Sequence, residues 1–161
     1  MLSVTRECAL LPAMKNDDLF KLICLTRPLL QEIELAVQEN LIGTGLTVGM
    51  RAVLQILFLH GPMTVPSLAR QLEIQRQYVQ ELVNRNCEEG YTARESNPAH
   101  KRSFLIALTP KGKALIGQVL DSEFANIETF SHDISHEDVL VALRVSNQIL
   151  EGFRILNRRD D

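Results

Sequence analysis

Residues 64–113 read TVPSLARQLEIQRQYVQELVNRNCEEGYTARESNPAHKRSFLIALTPKGK, and this stretch decides the fold. Thr64 can cap a short helix, and a turn at 73–74 separates it from a second helix predicted over about 75–89, which Gly90 would end. The stretch carries eight Lys or Arg and five Asp or Glu, whereas the remainder carries nine and fifteen, so their formal charges are +3 and −6. A basic segment within an acidic chain indicates where a polyanion would bind.

A hairpin is predicted after the two helices. The segments 91–94 and 103–108 have the composition of paired strands, and the turn-forming sequence ESNPAHKR lies between them. Thr109 and Pro110 then place a capping residue before a proline at the first helical position, which predicts a new helix. A helix–turn–helix followed by a two-stranded hairpin is a winged helix arrangement, and we predict it over residues 47–109.

Long amphipathic helices are predicted on both sides of this module, at 16–42 and 110–157. Pro28 lies inside the first of them and is expected to kink or interrupt it. Ser135 divides the second, because its spacing from Asp138 resembles a capping box. The module is too small to bury the apolar faces of all these helices. We therefore expect a second copy of the chain to cover them.

The predicted fold class is mainly α with a small β-hairpin wing: a winged helix-turn-helix flanked by N- and C-terminal dimerisation helices, in one domain over residues 1–161. A chain of 161 residues is long enough for one hydrophobic core. Three cysteines with no CxxC pair favour reduced thiols, and the sequence has neither a signal peptide pattern nor an apolar run long enough to span a membrane. We therefore expect a cytoplasmic protein with no membrane partner.

The sequence contains none of the patterns that mark a catalytic site: no nucleophile elbow, no phosphate-binding glycine loop and no HExxH. His132 and His136 are four residues apart but lie on either side of the helix start at Ser135, which favours helix-capping polar residues over a metal site. Cys24 has apolar neighbours, which favours a buried structural cysteine over an oxidant sensor. We therefore expect no enzyme activity, no cofactor and no metal.

The order of these elements, together with LA at 68–69, VNR at 83–85, EEGY at 88–91 and LTPKG at 108–112, resembles the MarR family of transcriptional regulators. The resemblance implies a homodimer that binds double-stranded DNA, with a recognition helix at 75–89 and a wing whose arginine enters the minor groove. It also implies that the protein represses or activates nearby genes, under the control of a small aromatic or phenolic ligand or of oxidation.

The residues expected to touch DNA fall into three groups. Long amide and guanidinium side chains at the start of the second helix have the chemistry to reach base edges, with Arg76 first among them. The hydroxyls at the start of the preceding helix would contact phosphate, and the wing cations would also contact DNA. Arg94 could touch phosphate or pair with Glu95. The predicted DNA-binding residues are Thr64, Ser67, Gln75, Arg76, Gln77, Gln80, Arg94, Lys101 and Arg102.

Two residues depart from the family pattern. His100 stands in the wing where an aspartate usually orients the neighbouring arginine, and Asn86 stands on the inner face of the second helix where leucine is usual. A buried Asn86 without partners would cost on the order of 1–3 kcal/mol. These departures and the acidic total charge leave a second function open: a winged helix dimer that docks a partner protein and has weak or lost DNA binding.

Overall fold

A computed structural model of the chain describes residues 17–98 and 102–158. In chain order its elements are α1 (Asp17–Asn40), α2 (Val48–His60), α3 (Val65–Leu72), α4 (Arg76–Glu88), β1 (Thr92–Ser96), β2 (Phe104–Leu108), α5 (Pro110–Glu128), a 3-10 turn (Ser131–Asp133) and α6 (His136–Asn157). The predicted fold class, mainly α with a small hairpin, is confirmed. The predictions at His100 and Lys101 lie outside the described residues.

Two compact units divide the chain, one ending at Leu120 and the other beginning at Asp121. The first contains α1 to α4, the hairpin and the start of α5, and it includes the hydrophobic core. The second contains the end of α5 and all of α6. None of the described residues in this second unit is buried.

Helix α2 lies at the centre of the core in the first unit. It contacts α3, α4 and β2. The hydroxyl of Thr47 caps it by accepting the Met50 N–H at 3.2 Å, as predicted. Its buried side chains are Met50, Val53, Leu54 and Leu57, and those of the neighbouring elements include Leu68, Val79, Leu82, Val83, Ile106 and Ile116. The helix–turn–helix and the wing are therefore held together by one apolar cluster around α2.

The helix–turn–helix forms where it was predicted. Thr64 caps α3 by accepting the Ser67 N–H at 3.3 Å. Glu73 ends α3 in the left-handed conformation, with a φ of 54°. Helix α4 begins at Arg76, so Gln75 is its capping residue and not its first helical one.

Gly90 ends α4, as the sequence predicts. Its φ of 72° lies in the left-handed region that favours glycine. Its N–H donates to the Cys87 carbonyl at 3.0 Å, and the N–H of Tyr91 donates to the Asn86 carbonyl at 2.8 Å. This pair of hydrogen bonds is a Schellman motif, which satisfies carbonyl groups at the helix end.

The wing is an antiparallel hairpin in which Arg94 of β1 lies opposite Ile106 of β2. Strand β1 continues to Ser96, beyond the strand end predicted at Arg94. Ile106 also forms a bridge to Met63, through backbone hydrogen bonds of 3.2 and 2.8 Å. This third strand position was not predicted, because a single residue before a helix cap has no periodicity. It joins the wing to the start of α3.

Thr109 fastens the start of α5 to the end of α4. Its hydroxyl donates to the Gly90 carbonyl at 2.7 Å and accepts the Gly112 N–H at 3.1 Å. The second of these bonds caps α5, whose first helical residue is Pro110, as predicted. The Thr109 side chain therefore bonds to the residue that ends α4 and also caps the start of α5.

Lys111 strengthens the same junction. Its ammonium donates to the Glu89 carbonyl at 2.7 Å and lies 4.6 Å from the centre of the Tyr91 ring. A cation at a helix C-terminus satisfies carbonyl groups and interacts favourably with the helix dipole. The end of α4 is therefore capped by a residue of α5.

Helix α1 runs over Asp17–Asn40 with Pro28 inside it, so the predicted interruption at Pro28 is wrong, whereas the alternative, a kink, stays a prediction. A proline removes one backbone donor, and a helix of 24 residues retains many others on both sides of it. At its end, Asn40 Nδ2 donates to the Val119 carbonyl of α5 at 3.1 Å. None of the described helices is long and apolar enough to cross a membrane.

Asn86 is fully buried on the inner face of α4, with 0% of its surface exposed. Its Nδ2 lies 3.4 Å from the Met50 carbonyl of α2, which is long for a hydrogen bond. Its Oδ1 has no hydrogen-bond partner among the described residues. A buried acceptor without a partner lowers stability by about 1–3 kcal/mol. The amide is therefore only half satisfied.

Replacing Asn86 with leucine is expected to stabilise the protein. Leucine branches at the same carbon and carries no polar atom. The free energy of unfolding should rise by about 1 kcal/mol or more, which is roughly 2–4 °C in Tm for a chain of this size. The control is Asn86→Asp, which keeps the shape, buries a charge and should lower the Tm. Calorimetry at one protein concentration measures both, and a lower Tm for Asn86→Leu would contradict the expectation.

Candidate nucleic-acid interface

A groove of about 700 Å³ lies between the start of α3, the outer face of α4 and the wing. Its lining residues come from widely separated parts of the sequence, between Thr64 and Ile106. Five of the nine predicted DNA-binding residues line it: Thr64, Arg76, Gln80, Arg94 and Arg102. The fold therefore brings most of the predicted site together in one concave surface.

The other four predicted residues do not line the groove as it is described. Gln75 and Gln77 have exposed side chains at the start of α4. Ser67 is half-buried in the first turn of α3, and Lys101 lies outside the described residues. A DNA contact from Gln75 or Gln77 would therefore be made beside the groove, at the exposed start of α4.

The hydroxyl groups of Thr64 and Ser67 are held in place by their neighbours. Their oxygens lie 3.0 Å apart, and Ser67 Oγ accepts a hydrogen bond from Arg70 at 3.2 Å. The exposed Arg70 was not predicted as a site residue. A phosphate at this helix end would meet two ordered hydroxyls and a guanidinium.

Three guanidinium groups line the groove, those of Arg76, Arg94 and Arg102, and all three side chains are exposed. No Asp or Glu is among the described residues that line it. Like charges gathered in a concave surface create a potential that attracts ions of opposite sign. Guanidinium groups also donate paired hydrogen bonds to phosphate oxygens. The groove can therefore bind the phosphate backbone of a nucleic acid.

Asn84 and Phe104 line the groove but were not predicted. Asn84 Oδ1 accepts from Gln80 Nε2 at 3.0 Å and from Arg94 Nη2 at 3.1 Å. Arg94 therefore bonds to Asn84, whereas pairing with Glu95 was one of its two predicted alternatives. The spacing of Asn84 from Gln80 could have revealed it, since residues four apart share one face of a helix. Phe104 is 59% exposed at the outer end of β2.

The cysteines do not form a disulfide among the described residues. Cys24 was expected to be buried, and it is half-buried in the single chain. Cys87 is also half-buried, with its Sγ 3.3 Å from the Thr92 hydroxyl. Within the described part of the chain, no group of three or more His, Cys, Asp or Glu could hold a metal ion.

Solved structures of known proteins share this fold. A crystal structure of the MarR family transcription regulator SP03579 is 33% identical to this chain, covers 89% of it and 95% of its own length, and has a TM-score of 0.80. A MarR family protein from Bacillus stearothermophilus is 22% identical, with coverages of 88% and 99% and a TM-score of 0.73. The first of these similarities, at 33% over most of both chains, shows that this chain belongs to the MarR family of transcription regulators.

More distant relatives are also regulators. BpsR from Bordetella bronchiseptica, whose structure concerns the regulation of its DNA binding by 6-hydroxynicotinic acid, is 18% identical, with coverages of 86% and 96% and a TM-score of 0.67. A curated protein from Thauera aromatica, "Putative transcriptional regulatory protein for hcr operon", is 23% identical over 91 residues. That match covers 56% of this chain and 55% of the relative.

No family model matches the sequence. The assignment to the MarR family therefore rests on the solved structure that is 33% identical to this chain. The chain has the fold of a DNA-binding transcription regulator, and the relatives it matches are regulators of transcription and not enzymes.

Proposed function

We propose that this protein is a homodimeric, sequence-specific DNA-binding regulator that acts on a pseudo-palindromic operator, and that it is a repressor. The observation that carries this proposal is the groove between α3, α4 and the wing, where three arginines meet with no acidic residue in the described lining. Repression requires only that the dimer occupy its operator and exclude other proteins, whereas activation would need a further contact surface.

In this proposal, contacts to phosphates provide affinity and contacts to bases provide sequence specificity. Arg94 and the first residues of α3 bind phosphates, which supplies affinity for any sequence. Arg76 and Gln80, on the groove side of α4, contact base edges in the major groove. Arg102 enters the neighbouring minor groove, where arginine is attracted by the negative potential. The remaining predicted residues, Gln75, Gln77, Ser67 and Lys101, add contacts around this centre.

A second copy of the chain would cover the apolar faces of the flanking helices. No residue of α1 and none of α6 is buried in the single chain. The exposed large apolar side chains of α1 keep 39–56% of their surface open, and those of α6 keep 40–55%. Apolar patches of this extent mark association surfaces. A two-fold dimer would also place its recognition helices about 34 Å apart, which is one turn of DNA.

A small aromatic or phenolic effector is the proposed means of release from DNA. DNA binding by the distant relative BpsR is regulated by 6-hydroxynicotinic acid, a small aromatic acid. Such a ligand would act by binding one spacing of the two recognition helices more tightly than the other, which shifts the population between them. Phenolic acids that raise the Tm should also weaken operator binding, and a full panel without either effect would contradict release by this class of ligand.

An electrophoretic mobility shift with the DNA upstream of the chain's own gene tests the main proposal. The dimer should bind this DNA roughly 1,000-fold or more tightly than unrelated DNA at physiological salt. Its binding should also weaken steeply as salt increases, because phosphate contacts release counterions. Because the operator lies in the chromosomal DNA, we expect the protein to be located in the cytoplasm.

The same experiment discriminates the second candidate, a winged helix dimer that docks a partner protein. The half-satisfied Asn86 in the recognition helix is the observation that favours this alternative, because it weakens the packing of α4 on α2. A docking module would show only weak and sequence-blind binding at all DNA fragments. That result would contradict the proposed regulator.

A further inference from the structure

One amide oxygen connects the recognition helix to the wing. Asn84 Oδ1 accepts hydrogen bonds from Gln80, one turn earlier on α4, and from Arg94 on β1. The distances of 3.0 and 3.1 Å are ordinary for such bonds. Gln80 and Arg94 are both side chains that line the groove. Their positions in the groove are therefore set by one shared acceptor.

The acceptor is neutral, and this determines the charge of the groove. A carboxylate at the same place would form an ion pair with Arg94 and cancel its charge beside the DNA. An amide oxygen holds the guanidinium by a hydrogen bond and leaves its full positive charge available for phosphate. Asn84 is itself exposed, so its contribution to the core is small.

The shared bond also fixes the amide of Gln80. Because Nε2 donates to Asn84, the Oε1 of Gln80 and the second hydrogen on Nε2 remain for a ligand. An acceptor beside a donor is the arrangement that pairs with an adenine edge in the major groove. If the Gln80 side chain rotated freely, its acceptor and donor would no longer be held in the orientation that pairs with adenine.

We propose that Asn84 is a positioning residue that holds Gln80 and Arg94 ready for DNA, as a neutral link between the recognition helix and the wing. The proposal rests on the proposed function, since it concerns how the same groove distinguishes its operator from other DNA. Asn84 acts through Gln80 and Arg94 and needs no contact of its own with a base.

Two substitutions at Asn84 should have different signatures in a binding titration over a range of salt concentrations. Asn84→Ala removes the acceptor and no charge, so the salt dependence should stay as in the wild type, while the preference for operator over unrelated DNA falls roughly 10-fold. Asn84→Asp keeps the acceptor and adds a charge. The plot of the logarithm of the DNA-binding constant against the logarithm of the salt concentration should then become less steep, by about 0.9 for each copy of Arg94 that is neutralised.

Two controls separate positioning from a general effect. Asn126→Asp makes the same chemical change on the exposed face of α5, outside the groove lining, and should leave the slope unchanged. Arg94→Ala should have a smaller effect in the Asn84→Ala background than in the wild type, because the two residues act as one unit. Equal effects in both backgrounds, or identical behaviour of Asn84→Ala and Asn84→Asp, would overturn the proposal.

A measurement without DNA keeps the link separate from the proposed function. The NMR signals of the Arg94 guanidinium in the free protein should shift in Asn84→Ala and not in Asn126→Asp. Unchanged signals in Asn84→Ala would overturn the link, whatever the DNA result. If the signals shift but the wild type binds no DNA in preference to competitor, the link stands and the proposed function fails, together with the positioning role.

Discussion

Replacing Gly112 with alanine is expected to lower the Tm by roughly 10 °C, through a loss of about 3 kcal/mol or more. A β-carbon at this position would lie 2.0 Å from the Tyr91 carbonyl oxygen and 2.8 Å from its carbonyl carbon. Both are backbone atoms, so no side-chain rotation can relieve the overlap. The start of α5 would have to move away from the end of α4, which would break the hydrogen bond from Thr109 to Gly90.

Gly117, in the same helix, provides the control. No atom of the described chain lies within 4 Å of a β-carbon at Gly117, apart from its own helix backbone and neighbours. Alanine is the better helix former by about 1 kcal/mol, so Gly117→Ala should leave the Tm unchanged or raise it. Circular dichroism melts at one protein concentration compare the two variants. An unchanged Tm for Gly112→Ala would show that the two helices do not approach as closely as described.

Replacing Arg102 with alanine is expected to weaken binding to the operator and to unrelated DNA alike. Arg102 lies in the wing, two residues before β2, and its side chain lines the groove. A dimer loses two such charges, so the slope of log K against log salt should decrease by about 1.8 if each neutralises one phosphate. Lys113→Ala removes the same charge from an exposed position outside the groove lining and serves as the control. If Arg102→Ala behaves as Lys113→Ala does, the wing has no role in DNA binding.

Arg76→Ala should change the sequence preference of DNA binding, whereas Arg102→Ala should lower the affinity for all DNA. Arg76 is the first residue of α4 and lines the groove. If it contacts a base edge, its loss should relax the preference at one base pair of each half-site, by about 1–3 kcal/mol. Binding to a set of single-base operator variants measures this preference. A uniform loss across all variants would place Arg76 on phosphate.

The local features of the fold were predictable because each depends on a few neighbouring residues. Thr47 and Thr64 cap their helices through N–H groups three residues later. Gly90 ends α4 because only a residue free to adopt a positive φ fits there without strain. The interruption predicted at Pro28 was the exception. A proline weakens a helix locally, but whether the helix continues past it depends on the other residues of α1.

The candidate site was predictable in its residue types but not in its contacts. Arginine and glutamine at the start of a helix indicate base contact, whatever surrounds them. Whether Arg94 would pair with Glu95 could not be decided, because its partner Asn84 lies ten residues earlier on another element. Nor could the sequence show that Gln75 and Gln77 are absent from the groove lining, since this depends on how α4 is rotated against the wing.

The sequence by itself determined the order of helices and strands, the caps that bound them and the family pattern, because these follow from interactions within a few residues. Tertiary structure alone decided which distant groups meet: Met63 with Ile106, and Thr109 with Gly90. It also decided that Asn86 is buried with one oxygen that has no partner among the residues the structure describes, and that Gly112 lies against the backbone of Tyr91. Such contacts depend on the angles and distances at which α4, α5 and the wing pack, which only the assembled core fixes.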